Sequence, residues 1–316
     1  MRRIALRAGE LLAVLFVVSF GVFAMVTLMP GDPAVAILGE GHPKQDYVDL
    51  RQELGLDDPL LTRYWHWLSS AVTGDLGRSL VPPQGDVTDR ILGALPVSFQ
   101  LATMGLLIAL VLAVPLAMWS AAHAGGLVDR IISASMFAIL SIPSFLAGLL
   151  LIMVFANGLG WFPRAQWVRI SEDLPANLHH ALLPALVIAM MELALFTRIL
   201  RNDLIVTLNE DYILAARAKG MPPWRIMVTD ALRPSSFSLV TLMGISLGRL
   251  IGSTVIVEYL FALPGMGSMI VTAANQGDFP LVQGAVLIIA LVYVVVNASI
   301  DVSYGYLDPR TRRVHA

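Results

Sequence analysis

Six stretches of this sequence are apolar over enough length to cross a bilayer, and that leaves the chain little choice of fold. They fall near residues 11–28, 97–119, 131–155, 181–199, 237–257 and 282–304. About 20 residues at 1.5 Å each cover the ~30 Å of hydrocarbon. Lipid offers the backbone no hydrogen-bond partners, so each run is read as a transmembrane helix. Composition agrees. The 316 residues are 57% hydrophobic and 14% charged, where a soluble domain carries roughly 25% charged residues. The sequence therefore predicts an all-α integral membrane protein of six transmembrane helices. It holds no cysteine, which excludes disulfides, thiolate metal sites and cysteine nucleophiles.

Charge placement orients the helices. The first run follows Arg2, Arg3 and Arg7. At about 18 residues it exceeds the 7–15 of a signal-peptide core, and Pro30 and Pro33 crowd the one cleavage-like site at Ala34-Val35-Ala36, so it reads as an uncleaved anchor with its N-terminus in the cytoplasm. Alternation from there places 1–10, 120–130, 200–236 and 305–316 inside. With Arg198 at the membrane edge, these hold 13 of the 21 Lys and Arg residues. Residues 30–96 carry ten acidic against five basic residues, and 258–281 carry Glu258 and Asp278 with no Lys or Arg. The positive-inside rule thus puts both termini in the cytoplasm and these two segments outside. Net charge is only −2, so bulk charge gives no reason to expect a nucleic-acid partner.

Two polar segments interrupt the apolar chain. The outer one, 30–96, has helical apolar spacing at Leu50, Leu54, Leu61, Tyr64 and Trp67, with Asp57-Asp58-Pro59 as a helix start, and predicts a small helical cap. The division is then 1–29 as N-terminus and first helix, 30–96 as extracytoplasmic insertion, and 97–316 as a five-helix core. The inner segment, 200–236, contains "DYILAARAKGMPPWRIMVTD" from Asp211 to Asp230. Asn209 suits an N-cap, Glu210 and Asp211 lie in the first turn, Arg217 and Lys219 lie in the last, and Gly220 supplies a left-handed stop. Pro222 and Pro223 close one helix and open a second, over Trp224 to Leu232, making a hairpin of two short helices. Ala215, Ala216 and Ala218 leave a surface that another protein can approach closely. Connections between packed helices usually need only 2–8 residues, and this one has more than thirty. Composition alone leaves a plain connector, a lipid-surface helix and a docking handle equally open.

Several motifs, in order, carry a resemblance. "DYILAARAKG", "ALRPS", "GSTVIVEYLFALPGMG", "DFPLVQGAVLI" and "LDPR" resemble the permease of a bacterial ABC importer of the dipeptide, oligopeptide and nickel group. The outer "PGDP", "LGLDDPL", "YWHWL" and "GDLGRS" resemble the first of the two permeases in such systems. The resemblance implies a multi-pass protein of the bacterial inner membrane that carries di- or oligopeptides, with nickel or another small solute as the alternative cargo. It implies four kinds of partner: a second homologous permease in a heterodimer, ATP-binding subunits, an extracytoplasmic substrate-binding protein and the lipid bilayer. ATP and Mg²⁺ belong to the ATP-binding subunits, and this chain itself binds no cofactor. The inner loop resembles the EAA loop, whose coupling helix docks on the ATPase. By that resemblance Asp211, Tyr212, Ala215, Ala216, Ala218, Lys219 and Gly220 are the coupling residues. Leu214 stands where the general pattern has glutamate, and Arg233 where it has proline, with Pro234 one place later.

Other chemistry is sparse. The only two lysines, Lys44 and Lys219, sit in no phosphate-binding loop, so the chain is expected not to be an enzyme. Gly244-Ile245-Ser246-Leu247-Gly248 has the letters of a nucleophile elbow but lies within an apolar helix, and its glycines read as a packing face. His179 and His180 lack the spacing of a helical metal pair and read as interfacial residues, leaving no predicted metal site. Glu192 and Arg249 sit within spans at comparable depth, roughly 12–15 Å below the outer ends. They read either as an ion pair between helices or as lining of the translocation path. "EYLFALPGMG" from Glu258 to Gly267 contains a Pro-Gly turn, and Glu258, Phe261, Pro264 and Gly265 are expected at the outer mouth. An ion-gradient-driven secondary transporter, the rival from another class, is expected to show paired halves with broken helices, and these are not evident.

Overall fold

The computed structural model describes residues 2–28, 33–39, 41–53, 55–82 and 84–307. Among the described residues every regular element is helical, apart from one isolated antiparallel bridge between Arg78 and Asp86. Helix α1 (Arg2–Leu28) is followed by three shorter helices in the predicted insertion: α2 (Pro33–Leu38), α3 (Lys44–Glu53) and α4 (Leu60–Val72). Next come α5 (Val87–Ala122), α6 (Leu127–Ser141) and α7 (Ser144–Leu151), which runs into a π-helical turn at Ile152–Gly158. Helix α8 (Leu174–Leu208) leads to α9 (Asp211–Ala218) and then to α10 (Pro223–Arg225), a π-helical turn at Ile226–Ala231, and α11 (Leu232–Ser253). Helices α12 (Val255–Leu260), α13 (Met266–Gln276) and α14 (Phe279–Leu307) complete the chain.

Five continuous stretches are long and apolar enough to span a membrane: Gly9–Leu28, Val87–Ala122, Leu174–Leu208, Pro223–Gly252 and Phe279–Ile300. The third expected span, 131–155, is not one straight helix. It is divided between α6 and α7, which meet at 101°, and the count of six holds when that pair is taken as one span. Pro143 causes the break. It has no N–H to donate, its ring excludes the α-helical conformation of the residue before it, and Ile142 accordingly sits in extended backbone at φ −89°, ψ 121°.

The chain forms two compact units, one of residues 1–98 with 264–295 and one of 99–263 with 296–316. In the first, Val26, Leu76, Val87, Ile91, Ala94, Met266, Phe279 and Val282 build a continuous apolar core. Tyr64 of α4 is buried edge to face against Phe16, Phe20 and Phe23 of α1, and its hydroxyl pairs with Ser19 Oγ at 2.8 Å. The expected apolar face of α4 is narrower than its spacing suggests, because Leu61 is largely exposed. Leu54 lies outside the described residues. Asp57 does not cap α4. It accepts from Arg51 Nη2 at 2.7 Å, and Pro59 takes the cap position without a side-chain bond. The buried Asp278 accepts from Ser79 Oγ and from the amide of Leu80, and Arg90 Nη1 lies 3.9 Å away.

In the second unit α8 is the central helix, packed against α6, α7, α11 and α12. In lipid there is little hydrophobic gain in joining helices, so close van der Waals approach across small residues decides which faces meet. Ala102, Ala109, Ala113, Ala117 and Ala121 form one buried stripe along α5. A Cβ on Gly105 would stand 2.7 Å from Ile188 Cγ2 and 3.2 Å from the carbonyl oxygen of Ala185. Gly244 is likewise covered by Ile300, and Gly148 by Leu260.

Gly105→Ala should therefore destabilise the protein by about 1–3 kcal/mol, the usual cost of overpacking. Gly93→Ala, on the same helix but with nothing within 4 Å of its Cβ, should gain up to about 1 kcal/mol of helix propensity. Thermal melting of the two variants in detergent checks the contrast, and equal melting temperatures would contradict the packing role of Gly105.

Candidate coupling loop and intramembrane charges

The inner polar segment begins where α8 stops. Asn209 ends that helix rather than starting the next. Its Nδ2 donates to the carbonyl of Ile205 at 2.8 Å, and its amide bonds to Val206 O. The N-cap of α9 is Glu210, in extended backbone and without a side-chain cap bond, and its carbonyl accepts from Ile213 and Leu214. The expectation for Asn209 fails because the orphan carbonyls at the end of a 35-residue helix compete for the same amide group. Arg217, in the last turn of α9, donates to Leu208 O at 3.3 Å and so satisfies another of those carbonyls.

The stop of α9 falls where the sequence places it. Gly220 has φ +77°, in the left-handed region open to glycine. Its amide bonds to Arg217 O, and the amide of Met221 reaches back to Ala216 O, the paired pattern of a Schellman motif. Of the whole helix only Ile213 is fully buried. Asp211, Tyr212, Leu214, Ala215, Ala218, Lys219 and Gly220 are exposed, and Ala216 is half-buried. Leu214, in the position of the missing glutamate, lies on this bare face.

The second arm of the expected hairpin is not a separate short helix. Pro223 opens α10 at its first position, and the helix then runs through the π-turn into α11 as one stretch, Pro223–Gly252. Pro234 explains the π-turn. Inside an α-helix it would leave the carbonyl of Asp230 without an amide and press its ring against that carbonyl. One extra residue per turn just before it shifts the register, and the helix continues. The hydroxyl of Tyr212 donates to Asp230 O at 3.4 Å, joining α9 to this turn. Partial desolvation of its hydroxyl against the π-turn, then the Glu210 and Asp230 carboxylates, hold the otherwise exposed Tyr212 above the usual phenol range, so it remains a neutral donor at physiological pH. Ser235 Oγ donates to Thr207 Oγ1 at 2.8 Å and ties α11 to α8. A groove of about 800 Å³ beside the loop is lined by Trp119, Ile205, Arg217, Met221 and Trp224 among others.

Within the spans, the structure brings Glu192 of α8 and Arg249 of α11 into ion-pair contact. Glu192 is 2% exposed and also accepts from Ser246 Oγ at 2.7 Å, while half of the Arg249 side chain is exposed. Ser246 is thus mid-helix, buried and hydrogen-bonded to a carboxylate, as the packing reading of the Gly244–Gly248 segment expects. Ring nitrogens of His179 and His180 meet the carbonyls of Trp161 and Gln166 at 2.7 and 3.1 Å, pinning the preceding loop. No group of three metal-binding side chains occurs among the described residues. At the expected outer mouth, Glu258 is fully buried and accepts from Thr254 Oγ1 at 2.7 Å, and Phe261 is 2% exposed. Pro264 opens the 264–295 segment of the other unit, and Gly265 caps α13 there. The four residues are therefore not brought together around one opening within either unit.

Sequence reasoning missed one buried constellation. Asp129 at the start of α6 takes a two-pronged contact from Arg201 of α8, with Nε and Nη2 each at 2.6 Å. Ser120 Oγ donates to the same carboxylate at 2.6 Å, and the amide of Gly125 at 2.8 Å. One turn before Arg201 along α8, Arg198 lies 4.5 Å over the ring of Phe137. The partners are 72 residues apart, and no local pattern connects them.

Taken together, the second unit joins long apolar helices to a short exposed helix with a left-handed stop, the build of a multi-pass membrane protein with a polar loop between two of its spans. Comparison with known sequences gives the family. Residues 113–313 match the binding-protein-dependent transport system inner membrane component, and residues 1–102 match the N-terminal part of such membrane components. The chain belongs to this family of permease components and is a multi-pass protein of the bacterial inner membrane. It is 33% identical over 290 residues to the oligopeptide transport system permease protein AppB of Bacillus subtilis, covering 91% of this chain and 92% of that one. It is also 33% identical over 305 residues to the glutathione transport system permease protein GsiC of Escherichia coli, covering 96% of each.

Arg249→Ala leaves Glu192 buried and bonded only to Ser246 among its present partners. Loss of one partner of a fully buried pair costs about 3–5 kcal/mol, and partial exposure of Arg249 puts the expected loss nearer 2 kcal/mol. The double variant with Glu192→Ala should recover much of it. Melting and membrane abundance across the four-member cycle check this, and additive single losses would contradict coupling between the two.

Proposed function

We propose that this chain is one permease of an ATP-driven importer that carries short peptides across the inner membrane, with α9 as the helix through which the ATP-binding subunits move it. The observation that carries the proposal is the form of α9, a short helix with one buried anchor at Ile213, a left-handed stop at Gly220 and an otherwise bare face. The peptide cargo rests on the relatives, named for oligopeptide and glutathione transport. The remaining partners are a second permease, with which this chain forms a heterodimer, and an extracytoplasmic binding protein that selects the cargo and docks on the outer side. ATP and Mg²⁺ are held by the ATP-binding subunits, and this chain contributes no catalytic group.

In this mechanism closure of the ATP-binding subunits displaces α9. Arg217 on Leu208 O and Tyr212 on Asp230 O attach that helix to the ends of α8 and the π-turn, so both spans feel the displacement. The ATP state shifts the equilibrium only as far as it favours the outward-open form over the inward-open one. Residues 30–96 form the extracytoplasmic insertion, and Glu192 and Arg249 fix α8 against α11 during the movement. Glu258, Phe261, Pro264 and Gly265 belong to the outer side, where the binding protein delivers its cargo.

Purification in mild detergent from the native membrane tests the coupling assignment. Wild type should bring down an ATP-hydrolysing subunit. Gly220→Asp, which forces a side chain into the left-handed position, should insert normally and lose that subunit. Absence of any ATPase from the wild-type sample, even after cross-linking, would contradict the proposal.

A further inference from the structure

We propose that Asp129 and Arg201 are positioning residues for coupling, a rigid joint that makes the bent α6–α7 pair move with α8 when the coupling loop is displaced. The inference rests on the function proposed above and goes beyond it by assigning residues outside the coupling loop. A carboxylate accepting both prongs of a guanidinium, a serine hydroxyl and a backbone amide has nearly all of its lone pairs directed. Asp129 has that arrangement, with its side chain 5% exposed. Such a contact has one good geometry and resists rotation, unlike a single surface ion pair.

Its location gives it mechanical consequence. Arg201 lies two turns before the end of α8, where Arg217 and Ser235 attach the coupling loop and α11. Ser120 lies in the last turn of α5 and Asp129 in the first turn of α6, so two helix ends and α8 meet at one carboxylate. Arg198 over Phe137 adds a second contact between α8 and α6 one turn away. Beyond the 101° bend, α7 packs on α12, with Leu260 filling the space over Gly148. A displacement of α8 at its loop end is thus conveyed to α6 and through the bend to α12, the helix that holds Glu258.

The test uses the transporter assembled with its copurifying partners in proteoliposomes. The chain has no cysteine, so Leu127→Cys on α6 and Val206→Cys on α8, both largely exposed, can be spin-labelled specifically before assembly. In wild type the label-to-label distance should stay narrow and unchanged on adding a non-hydrolysable ATP analogue with Mg²⁺. With Asp129→Asn the distribution should broaden and shift with nucleotide, ATP hydrolysis should continue, and labelled short peptide taken up per ATP should fall at least tenfold. Arg201→Lys, which cannot make the two-pronged contact, should fall between. The exchange Asp129→Arg with Arg201→Asp should recover part of the coupling. Unchanged distances and uptake per ATP in Asp129→Asn, beside a working wild type, overturn this inference alone. Loss of membrane abundance in Asp129→Asn and in the exchanged pair shows a purely structural contact and overturns it too. A wild-type complex that hydrolyses no ATP overturns the proposed function, and this inference with it.

Discussion

Hydrocarbon cannot hydrogen-bond to a peptide group, and most of what is distinctive here follows from that one constraint. A water-exposed break in a helix costs little, whereas a break inside a membrane leaves carbonyls that something must satisfy. Pro143, within an expected span, and Pro234, at the loop end of α11, show two ways of handling a proline-interrupted ladder. At Pro143 the chain gives up the straight helix, turns through 101° and starts again. At Pro234 it keeps the helix, inserts a π-turn before the proline, and directs the Tyr212 hydroxyl at the Asp230 carbonyl. The first solution leaves α6 and α7 as two helices joined at a sharp angle, and the second leaves α10 and α11 continuous.

The same constraint governs charge. A carboxylate in an apolar span survives only with its partners in place, so Glu192 holds both Arg249 and Ser246. The buried Asp129, at the start of α6, likewise holds Arg201, Ser120 and the Gly125 amide. These contacts are worth little as net stability, because desolvation offsets most of the attraction. Their value is directional. Each has one satisfactory geometry between two helices, and each therefore fixes how those two helices pack. Small residues do the complementary work where no charge is present, as Gly105 does under Ile188.

Much of this was legible in the sequence, for reasons that can be named. Apolar runs report spans directly because their length is set by bilayer thickness, and the ends of α9 at Gly220 and α10 at Pro223 were readable because glycine and proline act locally. Chemistry that depends on long-range choice was less so. The Asn209 side chain can serve the helix behind it or the helix ahead, and the competition is decided by tertiary geometry. Leu61 keeps the spacing of a buried residue and is nonetheless exposed, because α1 covers only the Tyr64 side of α4. Glu192 and Arg249 were suspected partners because two charges at one depth in lipid need each other, yet nothing in the sequence pointed to Ser246 as the third member. Asp129 and Arg201 lie in segments where water is close at hand, so neither residue type there demands a partner, and the pair went unread.

The central claim is that ATP bound elsewhere drives movement through this chain, and the measurement that tests it most directly is the energy source of uptake. Proteoliposomes holding the complete complex with α9 facing the lumen would be loaded with, or denied, ATP, and uptake of labelled short peptides added outside with the binding protein followed with the proton and sodium gradients intact or collapsed by ionophores. Uptake should require ATP hydrolysis and the binding protein and be unaffected by ionophores. Uptake that persists without ATP and vanishes when the ion gradients collapse would contradict it.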